Sequence, residues 1–207
     1  MRRFVATCAL VTSISFSALL VAAPAEEAVR PSPAPTVTSL PKLRIDNFGQ
    51  VNAAYYRGSQ PAGDDYAQLA AFGVKAVVDL QADGQADEQQ LVEKAGMKFF
   101  RIPMTTHKAP TVDELASFLT LVNNPANQPV YVHCAGGRHR TGVMTAAYRM
   151  THDGWTADQA FKEMKQYKFG AEFLHPEFKK YVYAFRSEPL STSPADGAIA
   201  TTILPLK

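Results

Sequence analysis

Val130-Tyr131-Val132-His133-Cys134 runs into Ala135-Gly136-Gly137-Arg138-His139, and a helix-forming segment then starts at Arg140. The β-branched and aromatic run reads as a buried strand, and the paired glycines allow a sharp turn into the helix. This strand, loop and helix form part of a βαβ-type unit, which constrains the fold more than any other stretch of the chain.

The remaining core segments fit the same architecture. Ala53-Ala54-Tyr55-Tyr56-Arg57 reads as a short strand, Asp64 to Phe72 as a helix stopped by Gly73, and Lys75 to Leu80 as a buried strand. Asp87 to Ala95 predicts a second helix stopped by Gly96, and Met97 to Ile102 a strand ended by Pro103. Thr111-Val112-Asp113-Glu114 and Thr156-Ala157-Asp158-Gln159 have the spacing of capping boxes, in which two side chains satisfy free amides at a helix start. Helices are expected from Thr111 to Asn123, from Arg140 to His152, and from Pro176 to Arg186. The alternation predicts an α/β fold: one small, mainly parallel sheet of about four to five strands flanked by helices. Leu115, Phe118, Leu119 and Val122, and likewise Phe161, Met164 and Lys165, read as helix faces turned to the sheet.

The ends differ from this core. Met1-Arg2-Arg3, the apolar run Phe4 to Ala23 and the small-residue site Ala23-Pro24-Ala25 have the order of a secretory signal peptide. Cleavage is expected after Ala25. Such a chain is exported, periplasmic or secreted, and keeps no stable membrane anchor once cut. A twin-arginine signal lacks supporting flanking residues, and Cys8 reads as a member of the apolar run. Residues 26–44 form a Pro-rich linker, 45–187 the folded domain and 188–207 a loose tail. Removing residues 1–25 takes Arg2, Arg3 and Cys8 from the 21 Lys+Arg and two Cys of the whole chain, and no acid from its 19 Asp+Glu. The remainder is formally neutral with one cysteine. Neutrality argues against a nucleic-acid partner, and a single cysteine cannot close an internal disulfide. A monomer is expected.

The strand-loop-helix unit also carries the candidate chemistry. Ligands of open α/β folds bind at the carboxyl ends of strands, and a helix start offers free N–H groups and partial positive charge to an anion. The loop Ala135, Gly136, Gly137, Arg138 and His139 is therefore expected to cradle a phosphate. The same field favours the thiolate of Cys134 and makes it a nucleophile. Arg140 closes the ring with a planar fork that fits two phosphate oxygens. Thr141 brings a hydroxyl to the neighbourhood of the sulfur, and Arg138 and His139 add positive character at the rim.

The pattern His133-Cys134, five residues, then Arg140-Thr141-Gly142 resembles the signature of the cysteine-dependent protein tyrosine phosphatases. The short core and the upstream Tyr56-Arg57-Gly58-Ser59-Gln60-Pro61 are similar to the compact dual-specificity class, and Asp153-Gly154-Trp155 resembles exported bacterial members. The resemblance implies two-step hydrolysis. Cys134 attacks phosphorus, Arg140 and the loop amides hold the equatorial oxygens, and water hydrolyses the cysteinyl-phosphate. It implies no metal and no cofactor, and a phosphorylated protein or small organic phosphate as partner. Gly137 to Gly142 also looks like the loop of plant and fungal atypical dual-specificity phosphatases, some of which act on inositol pyrophosphates.

One departure bears on mechanism. Where the family usually carries an Asp as general acid, the loop Pro103-Met104-Thr105-Thr106-His107-Lys108-Ala109-Pro110 has no carboxylate. His107 is its conventional proton donor. Asp79 and Asp83 are further candidates, although Asp79 reads rather as a partner for local backbone groups. A rhodanese-type sulfurtransferase typically has fewer residues between cysteine and arginine, and a thiol-cascade arsenate reductase needs more cysteines. A zinc site at His133 and Cys134 is disfavoured because strand neighbours face opposite ways. The non-enzyme alternative is a pseudophosphatase that binds phosphorylated partners without turnover.

Overall fold

The computed structural model describes residues 43–186. The expected signal segment 1–25, most of the expected 26–44 linker and the expected 188–207 tail lie outside them. Five strands form one sheet: β1 (Gly49–Asn52), β2 (Tyr55–Ser59), β3 (Ala76–Asp79), β4 (Lys98–Arg101) and β5 (Val130–Cys134), in the order β1-β2-β5-β3-β4. All neighbours run parallel except the β1–β2 hairpin. The expected α/β architecture is therefore present, with one strand added. β1 has the sequence Gly-Gln-Val-Asn, with Val51 as its one apolar side chain, and too little pattern to be read as a strand. The following strand starts at Tyr55 rather than Ala53, because Ala53 and Ala54 make the hairpin turn.

β5 is central and every residue in it is buried. Its pleat sorts the side chains. Val130, Val132 and Cys134 face a core shared with α3 (Val112–Asn123), α4 (Arg140–His152), α5 (Ala157–Gln166) and α6 (Pro176–Ala184). Tyr131 faces a second core with α1 (Asp65–Ala71) and α2 (Glu88–Lys94), and His133 stacks on it with ring centroids 5.7 Å apart. Cys134 and His133 thus face opposite sides of the sheet, as strand geometry requires.

Both capping boxes form, at Thr111 with Glu114 and at Thr156 with Gln159. Leu115, Phe118, Leu119 and Val122 are buried as expected. The second stripe needs correction. Phe161 and Met164 are buried, but α5 packs on α4 and α6 rather than on the sheet, and Lys165 is exposed. Lys165 donates to Gly170 O at 2.7 Å, while Glu163 turns inward to meet Arg149 at 2.8 Å. The last helix ends at Ala184, two residues short of the expected Arg186.

Candidate active site

Cys134 ends β5 and is 3% exposed, at the carboxyl edge of the sheet. The chain then passes through Ala135–His139 and enters α4 at Arg140. Gly137 has φ +63°, and a Cβ there would collide with the Gly58 carbonyl on β2, so only glycine fits.

Donors behind the loop set its orientation. Gln60 N donates to Ala135 O at 3.2 Å. Gly137 O accepts from Arg57 Nη2 and from Asn47 Nδ2, each at 2.9 Å. In a planar trans peptide the C=O and the following N–H point opposite ways. Drawing the Ala135 and Gly137 carbonyls outward therefore turns the Gly136 and Arg138 amides inward. Inward amides beside a helix start are the donors from which anion-binding concavities are built.

The support for this loop comes from the domain's first residues and from β2. Asn47, itself at φ +57°, also bonds Tyr167 O at 2.9 Å. Arg57 is fully buried, and its guanidinium lies 4.0 Å from the centre of the Tyr167 ring. Burial pushes the Arg57 pKa down, and the field of Cys134 is among the influences that oppose this.

Arg140 is 3% exposed. Its Nη1 donates to Asp83 Oδ1 at 2.8 Å and to Met104 O at 3.2 Å, and its Nε has no partner among the described residues. The bond from Arg140 holds the Asp83 carboxyl below the ordinary carboxylate range, so Asp83 is a poor proton donor. Thr141 is buried at the start of α4, and its hydroxyl has no hydrogen-bond partner among the described residues.

At the rim, Arg138 lies 3.7 Å from Asp46, which also binds Lys168 at 2.6 Å. His139 turns inward, with Nε2 2.9 Å from Phe169 O and its ring 3.8 Å from that of His175. Burial and then the neighbouring His175 push its pKa down. It therefore adds no charge to the rim. His107 is exposed in the β4–α3 loop and stacks on His175 with ring centroids 5.4 Å apart. Through His175 the β4–α3 loop and the Cys134 loop are brought side by side.

Under the site lies a buried ionic cluster. His133 Nε2 is 2.9 Å from Glu88 Oε1, at ion-pair distance but off the line of a good hydrogen bond, and its Nδ1 is 4.0 Å from Asp79 Oδ1. Arg101 binds Asp79 at 2.8 Å and reaches Glu88 at 3.6 Å. Glu88 also accepts from Gln60 at 2.6 Å and from Tyr66 at 3.2 Å. Burial raises the Asp79 carboxyl. It opposes ionisation of Glu88 as well, but His133, Gln60 and Tyr66 together hold that group lower than usual. Asp79 thus meets the Arg101 and His133 side chains, not the local backbone groups expected for it.

Residues 42–180 match the model of a family described as a dual-specificity-type protein tyrosine phosphatase domain fused to NAD+ kinase. The chain belongs to this phosphatase family. Among the relatives of the phosphatase domain, the inositol diphosphatase Siw14 of Saccharomyces cerevisiae is 29% identical over 130 residues, which are 60% of this chain and 46% of that one. The dual specificity protein phosphatase TpbA of Pseudomonas aeruginosa is 27% identical over 173 residues, 84% of this chain and 77% of that one. Solved structures agree. The Siw14 catalytic core in complex with citrate matches with TM-score 0.61 and 25% identity, over 69% of this chain and 86% of that one. TpbA in complex with phosphotyrosine matches with TM-score 0.57 and 26% identity, over 66% of this chain and 82% of that one.

Within the phosphatase domain, sequence reasoning singled out Cys134, Arg140 and the loop between them but missed Asn47 and the task of Arg57. Arg57 was visible only as part of the Tyr56-to-Pro61 resemblance, and nothing local in Asp46-Asn47-Phe48 signals a loop support.

Proposed function

We propose that the chain is a phosphomonoester hydrolase working through a cysteinyl-phosphate on Cys134. What supports this reading is the buried Cys134 at the end of β5, the buried Arg140 that opens α4, and between them a loop whose Ala135 and Gly137 carbonyls are bonded outward, which turns the next amides inward. Cys134 Sγ attacks phosphorus in line as the leaving oxygen departs. The Gly136 and Arg138 amides and the Arg140 fork hold the equatorial oxygens, and water then cleaves the S–P bond. His107 is the proposed proton donor to the leaving oxygen. No step calls on a metal.

Phosphotyrosine, phosphoserine or phosphothreonine proteins are the first substrate class, supported by the likeness to TpbA. A second reading, an inositol pyrophosphate or other small organic phosphate, is favoured by the likeness to Siw14 and by the lack of a carboxylate in the 103–110 loop. A phosphate leaving group needs little protonation, whereas a tyrosyl or seryl oxygen needs a proton. We further propose export, resting on the order of residues 1–25. Its test is the N-terminus of the mature protein, which should be Glu26.

Turnover of an aryl phosphate by the purified protein in chelator tests the reaction. Cys134→Ser should reduce kcat by at least about a thousandfold. His107→Ala should cost about a hundredfold on a tyrosyl phosphate and little on a pyrophosphate. Unchanged turnover in Cys134→Ser would overturn the mechanism, and phosphopeptide binding without turnover would point to the pseudophosphatase.

A further inference from the structure

His107, His175 and Glu177 each bring one donor atom to within 4.8 Å of the other two. His107 belongs to the β4–α3 loop, His175 is the N-cap of α6, and Glu177 lies in the first turn of that helix. His175 is 12% exposed, and its Nδ1 is 3.0 Å from Thr106 O and 3.4 Å from Glu177 Oε1. That Glu177 oxygen is shielded from solvent and accepts no hydrogen bond among the described residues. A shielded carboxylate oxygen without a donor is costly, and a bound cation would relieve the cost.

We propose that His107, His175 and Glu177 form a binding site for a zinc-class divalent cation at the rim of the Cys134 loop, and that the bound metal inhibits the enzyme by engaging His107. Two imidazoles and a carboxylate suit Zn2+, whereas Mg2+ and Ca2+ take mainly oxygen ligands. Ligands about 2.0–2.1 Å from a tetrahedral zinc stand roughly 3.4 Å apart. The His175–Glu177 separation already has that value. Ligation through His175 Nδ1 replaces its bond to Thr106 O. His107 is exposed and free to swing in, which leaves a fourth position for water. His139, whose ring lies 3.8 Å from that of His175 at a 37° tilt, has Nε2 engaged with Phe169 O and supports the ring instead of ligating.

The sequence carries no local sign of this site, since its residues come from two distant segments. The ligand set stands apart from the proposed reaction. The inhibition rests on His107 as proton donor.

The test separates the two. In the purified Cys134→Ser chain, which removes the competing thiolate, Zn2+ titrated against a chromophoric chelator should bind as one equivalent, and Co2+ should show tetrahedral visible absorption. Adding His175→Ala or Glu177→Gln should weaken Zn2+ by at least about tenfold and abolish the Co2+ spectrum. No binding, or equal binding in all three proteins, would overturn the site. In the Cys134 enzyme, Glu177→Gln should keep metal-free activity and require at least about tenfold more Zn2+ for half-inhibition. Zinc bound at the site with activity unchanged would overturn the inhibition.

Discussion

Arg140 Nη1 lies 2.8 Å from Asp83 Oδ1, so a buried guanidinium at the base of the site is held by a carboxylate whose side chain is 76% exposed. This pair orients the fork toward the loop, but it also sets a negative charge beside the place a phosphate dianion must occupy. Exposed ion pairs are worth little, about 0–1 kcal/mol, so a substrate can displace or share this one. Asp83→Asn should lower KM for an aryl phosphate by up to about fivefold and leave kcat close to that of the wild type. Because Arg140 holds Asp83 ionised, the alkaline limb of the kcat–pH profile, where a proton donor is lost, should not move in the variant. A shifted limb would make Asp83, not His107, the proton donor.

Glu88 and His133 form the second relationship that can be tested, here through stability. Glu88 is buried, accepts from Gln60 and Tyr66 and faces His133 and Arg101, so Glu88→Gln disturbs a buried polar network and should lose about 1–3 kcal/mol in urea unfolding at pH 7. The sign with pH follows from the lowered Glu88 carboxyl. Its contribution is complete above the ordinary glutamate value of about 4.3 and fades as pH falls through the lower folded value. Asp79 works the other way. Burial raises its carboxyl, so its ionisation opposes folding as pH rises. The gap between wild type and Glu88→Gln should therefore close in acid, as Glu88 takes up its proton. A gap that widens in acid would contradict the assigned ionisation.

The parts of this arrangement that could be read in the sequence are those with short-range signals. The glycine stops, capping boxes and apolar runs of β3 and β5 follow from local backbone and burial requirements, and Cys134 to Arg140 is contiguous. What escaped was assembled by contacts between distant segments. Asn47 and Arg57 reach Gly137 only after β2 pairs with β5, and Asp83 meets Arg140 only because β3 lies on the other side of β5. Glu88 stands in the first turn of a helix, where an acid is common and carries no local sign of a buried partner. Its role as the partner of His133 needed the parallel β3–β5 register and the placement of α2 beneath it.

Arg57 separates loop support from stability. Its Nε and Nη1 have no partners among the described residues, and burial pushes its pKa down, so its charge is costly where it lies. Replacing a buried charged group by an apolar one of similar length is often neutral or stabilising. Arg57→Met should keep Tm within about 3 °C of the wild type or raise it. Gly137 O loses one of its two side-chain donors in the variant, so the Arg138 amide is held less firmly. kcat/KM should fall by at least about tenfold. Activity and Tm falling in proportion would mean that Arg57 serves the fold alone.

Gly137 offers the most direct test of the loop's shape. At φ +63° a side chain is strained, and a Cβ would meet the Gly58 carbonyl and lie 2.8 Å from Ser59 N, both backbone groups of β2 that cannot swing aside. Gly137→Ala must therefore push the loop away from β2, which lengthens the bonds from Arg57 and Asn47 and turns the Arg138 amide off the phosphate. Gly136 is the matched control, since its Cβ would meet only the flexible Arg138 side chain, at 3.4 Å or more. Gly137→Ala should cost about 1–3 kcal/mol of stability and at least about a hundredfold in kcat/KM, with phosphate inhibition weakened in step. Gly136→Ala should stay within about tenfold of the wild type. If the two variants lose activity equally, the close approach to β2 is not what aims the loop amides.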